Sequence, residues 1–265
     1  MFRAAKFLFI LLLAVSCDAV DIHPYDCRIR GERDINATNI GKITEYLNCK
    51  KEFRFAFISD TQRWYDETED AVKAINGRGV DFVIHGGDLT DFGATKEFLW
   101  QRDILSRLDV PWIALIGNHD CLGSGEQAFE AIFGELNFSF KAGNVLFVCL
   151  NTNALEYDYN TPVPDFSYMS ELLDNIPEGV EKTVFVMHAR PYASGFNNNV
   201  AHIFDRYTRE FPGVQFYLFG HEHKMMEKDL FNTGLTYYGV SNIEKRKYYL
   251  FTIKEEGFEY EVVEF

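Results

Sequence analysis

The sequence predicts an α/β fold, and three observations carry that prediction. Short apolar runs rich in Phe, Ile and Val alternate with stretches in which apolar residues recur every three or four positions, the pattern of βα units. Five of the apolar runs end on a carboxylate, an amide or an imidazole, so polar side chains gather where strands finish. Beyond residue 235 the pattern changes to short alternating runs, TYYGV, KYYLFTI and FEYEVVEF, as antiparallel strands require. With 265 residues, 47% hydrophobic and 25% charged, the chain has the composition of a soluble globular domain, and one main domain is expected.

The first element reads as an export signal. Arg3 and Lys6 precede the apolar run from Phe7 to Val15, which is too short to span a bilayer. Ala14-Val15-Ser16-Cys17 resembles a bacterial lipobox, in which the cysteine becomes the acylated first residue; the alternative is an ordinary cleaved signal in which Cys17 is incidental. The expected organisation is a signal peptide over 1–16, a polar and extended leader over 17–52, and the main domain over 53–265. The protein is then anchored to a bacterial membrane through Cys17, or periplasmic or secreted if that cysteine is not acylated. Cys27 and Cys49 are able to pair in such a compartment. Cys121 lies in a glycine-rich loop and Cys149 inside VLFVCL, and no cysteine spacing suits a metal.

The strand candidates then follow in order as FRFAFIS, DFVIH, WIALIG, VLFVCL, TVFVMH and QFYLFG, with EDAVKAIN, TKEFLWQRDILSRL, EQAFEAIF, DFSYMSELLDN and VAHIFDRYTRE as the intervening helices. Formal charge is −14, and removal of Arg3 and Lys6 with the signal takes it to −16, which argues against nonspecific nucleic-acid binding. Phosphate chemistry stays open to an acidic chain if bound cations reverse the local field. The strand ends deliver Asp60; Asp88 and Asp91; Asn118 and His119; His188; and His221 and His223. In open α/β sheets the carboxyl edge is where ligands bind. Aspartate, asparagine and histidine donors without thiolate suit a pair of Mn, Fe or Zn ions better than a structural zinc.

The blocks DTQ at 60–62, GDLTD at 87–91, GNHD at 117–120, MHARP at 187–191 and GHEH at 220–223 resemble, in order and spacing, those of calcineurin-like metallophosphoesterases, over roughly residues 53–254. The resemblance implies a metallophosphoesterase-type mixed β-sandwich of two packed sheets flanked by helices. It implies two divalent ions (Mn, Fe, Zn or Mg), with Asp60, Asp88 and His223 on the first and Asp88, Asn118, His188 and His221 on the second. It further implies hydrolysis of a small-molecule phosphate mono- or diester by a hydroxide shared between the ions, with His119 as general acid oriented by Asp91.

Departures from the family pattern narrow these expectations. Gln62 stands where histidine is usual; its carbonyl oxygen is a harder donor that predicts a first site weaker in zinc and more tolerant of manganese or magnesium, unless Gln62 only binds a water. If Gln62 instead marks a decayed site, the chain is a non-catalytic binding scaffold. Phe92 follows Asp91 where Ser/Thr protein phosphatases carry arginine, and Asp91 itself stands where purple acid phosphatases carry tyrosine, so neither branch is expected. Arg63 and Arg190 either fork onto a phosphate oxygen or lie solvated. His85 is expected to support the ligands from behind, and His23 and His202 receive no role. The loops EYDYNTPVPDFSY and RPYASGFNNN either stack a nucleobase or sugar or pack on the sheet. NAT at 36–38 and NFS at 137–139 fit the glycosylation pattern.

Overall fold

The computed structural model describes residues 28–48 and 50–265. The signal, the lipobox cysteine Cys17 and the Cys27–Cys49 pairing lie outside the described residues. Among the described residues, no helix is long and apolar enough to cross a membrane.

The apolar runs become the strands of two sheets. The first sheet orders β11 (258–264), β10 (247–253), β1 (53–58), β2 (82–85) and β3 (112–114); β1, β2 and β3 run parallel, and β10 and β11 are antiparallel additions. The second orders β4 (138–142), β5 (145–150), β6 (182–187), β7 (214–219), β9 (236–239) and β8 (226–228), parallel from β5 to β9 with antiparallel edges. The sequence patterns for β4 and β8 are short and half-polar, which hid them from periodicity alone. The sheets pack face to face through an aromatic layer in which Phe55 stacks between Phe82 and Phe251, 5.3 Å from each, and meets Phe147 edge-on at 5.3 Å. Such rings bury large apolar areas in fixed geometry.

Helices cover the two outer faces. Helices α2 (65–76), α3 (95–105) and α4 (125–132) bury Val72, Ile75, Phe98 and Phe129 on the first sheet. Helices α5 (166–174) and α6 (201–208) bury Met169 and Phe204 on the second. The layering is helix, sheet, sheet, helix.

The segment expected to be an extended leader contains a helix instead, α1 (35–47), whose Ile43 and Leu47 enter the inter-sheet core. Its buried face also carries Asn36 and Asn39, which break the apolar stripe that periodicity looks for. These amides cap the edge of β3. Asn36 accepts from Ala114 N at 2.9 Å through Oδ1 and donates to Ala114 O at 2.8 Å through Nδ2, while Asn39 donates to Trp112 O at 2.7 Å. An open strand edge is thereby closed by side chains. The sequon at Asn36 is correspondingly buried, and both amide atoms are engaged.

Asn36→Ala would leave a buried N–H and C=O of Ala114 without partners, which should cost about 3 kcal/mol of unfolding free energy. Urea unfolding monitored by tryptophan fluorescence checks this; a loss under about 1 kcal/mol would show that water replaces the amide.

Candidate metal centre

The backbone bends sharply after β1, β2 and β7. Asp60, Asp88, His221 and His223 all adopt left-handed conformations, with φ of 56°, 60°, 66° and 53°. A non-glycine residue in that region costs about 1–2 kcal/mol, so the surroundings over-determine these turns. Gly117 shows how tight they are: a Cβ there would lie 2.2 Å from Asp88 N and 2.2 Å from Asp88 Oδ1. Only glycine lets the β3 loop approach the Asp88 carboxylate.

The turns bring six of the predicted donors into contact. Asp60, Asp88 and His188 are fully buried, and one ligand atom from each lies within 4.8 Å of the others. His188 Nε2 is 3.3 Å from Asp88 Oδ2 and 3.2 Å from Asn118 Oδ1, and Asn118 Oδ1 is 2.9 Å from His221 Nδ1. His223 Nε2 lies 3.1 Å from Asp60 Oδ1. Gln62 is buried beside them, its Nε2 3.5 Å from Asp88 Oδ2, and its Oε1 has no hydrogen-bond partner. A buried amide oxygen without a donor is costly in isolation and is what a cation or its bound water would satisfy.

The donor set fits divalent ions. His188 Nδ1 faces Gly86 O at 2.8 Å and donates to it, so in the neutral ring Nε2 aims a lone pair at the Asp88 and Asn118 oxygens. Lone pairs converging on one point need a proton or a metal between them. Without metal the protein uses a proton. Burial would strip His188 of charge, but Asp88 chiefly, with Asp60 and the Gly86 carbonyl, more than offsets burial and carries the imidazole up to about 9. Asp88 pays burial against itself, yet the facing His188 and the His119 amide hold its carboxyl below the ordinary range. Burial and the His188 charge push His221 down; the Asp60 hydrogen bond lifts His223 despite its partial burial.

Asp91 and Arg190 take other partners than expected, and Arg63 takes the exposed one of its two expected positions. The Asp91 carboxylate does not orient His119; it pairs with Arg63, and the Asp91 main-chain carbonyl lies 2.9 Å from His119 Nδ1 instead. Arg190 is not free to fork onto phosphate, because its guanidinium forks onto Glu222 at 3.0 and 2.8 Å with both side chains mostly buried. Since Glu222 separates His221 from His223, this pair ties the loop after β6 to the loop after β7. Arg63 remains exposed with its charge shared by Asp91.

Two supporting residues complete the frame. His85 accepts from Gly87 N at 3.2 Å through Nδ1 and so donates to Thr61 Oγ1 at 2.9 Å; burial pushes it down to about 4, keeping it neutral. Sequence reasoning missed Asp120. It is fully buried and accepts from Leu89 N, Thr90 N, Thr90 Oγ1 and Gly117 N at 2.9–3.2 Å, lacing the β2 loop to the β3 loop. Burial, then the nearby Asp88, raises it to about 7. The fourth position of GNHD was the available signal.

A family model described as calcineurin-like phosphoesterase matches residues 53–225. Among solved structures, a dimetal phosphatase from Danio rerio shares 14% identity over 80% of this chain and 97% of its own, with a TM-score of 0.66. The GAP50 anchor of the Plasmodium inner membrane complex shares 12% identity over 81% of this chain and 85% of its own, at 0.64. Purple acid phosphatase PPD1 from yellow lupin shares 12% identity over 80% of this chain and 51% of its own, at 0.58. No curated protein matches the sequence.

The His188 shift has a stability signature in the metal-free protein. A folded pKa raised above the ordinary 6.5 to about 9 gives stability that is fully present below 6.5 and is lost as pH rises through 9. Histidine NMR of chelator-treated protein should show one imidazole titrating near 9, assigned to His188 by its loss in His188→Gln, with the urea midpoint falling over the same interval; the absence of any ring titrating near 9 would contradict the Asp88 pairing.

Proposed function

Since the chain belongs to the calcineurin-like phosphoesterase family, and is thus a phosphoric ester hydrolase, we propose that it cleaves a small-molecule phosphate mono- or diester at a centre of two divalent ions. The observation that carries this reading is the buried meeting of Asp60, Asp88 and His188 donors, with His188 Nε2 turned toward the carboxylate by its Nδ1 bond to Gly86. Asp60, Gln62 and His223 would hold one ion, Asn118, His188 and His221 the other, and Asp88 both. The dimetal phosphatase from Danio rerio with the same fold supports the count of two. When bound, such a pair supplies Lewis acidity toward the phosphoryl oxygens and lowers the pKa of the attacking water.

The chain's own residues handle the leaving group. The His119 backbone N–H donates to Asp88 Oδ1 at 2.9 Å, which fixes the imidazole next to the shared carboxylate. With Nδ1–H held on the Asp91 carbonyl, a protonated His119 offers its Nε2 proton to the leaving oxygen as the P–O bond breaks, and returns to the neutral ring. The product alcohol keeps that proton, and the phosphate keeps the oxygen of the attacking water.

The deciding assay uses metal-stripped protein with added Mn, Zn, Fe or Mg on mono- and diester substrates, with Asp88→Asn as control. Wild type should exceed the control by at least about 100-fold with its preferred ion; equality with every ion would leave the non-catalytic scaffold standing. Gln62→His in the same panel should tighten zinc binding, and an unchanged zinc affinity would place Gln62 outside the ion's donors.

Export and tethering through Cys17 belong to the same proposal, supported by the basic, apolar and cysteine segments of the first 17 residues. Cys17→Ser should shift the protein from the membrane fraction to the soluble fraction. Full retention on membranes would count against acylation.

A further inference from the structure

Two loops wall a cavity of about 470 Å³ beside the metal centre. One loop follows β5 and contributes Leu155, Tyr157 and Tyr159; the other follows β6 and contributes Phe196, Asn197 and Asn199. Ala154 N donates to Gly195 O at 2.8 Å, which joins them. Ser194, also in the wall, has its Oγ 3.2 Å from His221 Nε2, so the cavity begins at a candidate metal ligand.

The opposite wall lies against the short helical turn, His119–Cys121, that carries the candidate acid. Tyr157 OH accepts from Asn151 Nδ2 at 2.8 Å and lies 3.8 Å from Cys121 Sγ, two residues beyond His119. The Glu156 carboxyl, raised by its partial burial, is close enough to feel both His119 and Asp88. The cavity therefore runs from the candidate ligand His221 toward the turn that carries His119, a place open to the alcohol half of an ester.

The lining selects what that alcohol carries. Its aromatic and aliphatic members leave large faces in water, Tyr159 being 96% exposed and Leu155 71%. Asn199 and Thr161 add an amide and a hydroxyl, and Asn197 adds its amide N–H groups while its Oδ1 accepts from Asn199 N at 3.3 Å; Asn198 is spent on the loop itself, accepting from Tyr192 N at 2.7 Å and donating to Ala193 O at 3.0 Å. Asp158 is the one charged member of the lining, and it is anionic. A second phosphate or a carboxylate would meet no counter-charge there, while flat faces bordered by amides match a neutral ring with several hydrogen-bonding atoms. The volume lies within the usual range for a small-molecule site.

Resting on the phosphoesterase reading, we propose that this cavity receives the leaving group of the ester, and that the group it fits is a neutral, hydrogen-bonding ring alcohol, a nucleoside or a glycosyl unit. Tyr159 and Leu155 are its specificity-determining contacts.

The test compares kcat/KM for adenosine 5′-monophosphate, glucose 6-phosphate and glycerol 3-phosphate with the metal-loaded enzyme. At least one ring ester should exceed the acyclic ester about tenfold, and Tyr159→Ala should raise the KM of that ring ester about tenfold, the loss of one stacking face. Preference for the nucleotide or for the sugar phosphate tells the two sources apart. Tyr46→Ala, on the far helix α1, serves as the surface control and should leave KM unchanged. Hydrolysis of all three esters at equal efficiency, or a KM indifferent to Tyr159, overturns the cavity assignment and leaves the phosphoesterase reading intact. Absence of hydrolysis of all three monoesters leaves the phosphoesterase reading to the mono- and diester assay; calorimetric binding of adenosine and methyl glucoside to wild type and Tyr159→Ala then judges the cavity by itself, and no binding of either ends the proposal.

Discussion

A carboxylate with 1% of its surface exposed, Asp88, has to be compensated from every side, because an unpaired buried charge costs several kcal/mol. The His119 amide, the His188 ring and the Gln62 amide approach its side chain from three different loops. Its own carbonyl accepts from Thr61 N and Gln62 N at 3.0 and 3.1 Å, fastening the β1 loop to the β2 loop. The carboxylate is thus the point at which loops from both sheets meet. The sandwich beneath exists at a fixed angle and spacing, set by the Phe55, Phe82, Phe147 and Phe251 layer, and that fixed base is what lets loops from separate sheets converge to within hydrogen-bonding distance.

The strain in those loops follows from the same requirement. A strand running into a relaxed turn would carry its side chain past the centre; left-handed turns at Asp60, Asp88, His221 and His223 fold the side chains back over the sheet edge. Compensation is local. Asp120 gathers four donors from the two loops that flank Asp88, and the Arg190–Glu222 fork holds the two histidine-bearing loops in register. Each arrangement removes a freedom through which the strain could relax.

Much of this was legible in the chain because the signals are local. Each apolar run names a strand, and the polar residue that ends it names a donor, so the strand order of chemistry could be read before the sheets were known. What escaped were features defined by partners distant in sequence. Helix α1 hides behind Asn36 and Asn39, which read as polar but are buried because they complete the β3 edge some seventy residues away. Arg190 reads as either a phosphate fork or a solvated side chain until Glu222 is seen beside it, and Asp91 reads as an orienting carboxylate until Arg63 takes that carboxylate and leaves the carbonyl to His119. In each case residue type was read correctly and its partner was not, since pairing is decided by the fold.

Those two arginines also bear on how an acidic protein deals with phosphate. Both guanidiniums that the sequence offered to a phosphate oxygen are already neutralised, one by Glu222 and one by Asp91. The formal charge of −14 then works against any anion that approaches through the general field of the protein. On the proposed reading the compensating positive potential falls to bound dications, which are compact enough to reverse the sign within one shell of ligands while leaving the surroundings acidic. A cavity beside them with an anionic member and no cationic one keeps that reversal confined to the phosphoryl group. On the proposed reading, phosphate recognition and recognition of the alcohol are separated in space, the first assigned to charge at the strand ends and the second to rings and amides in the loops.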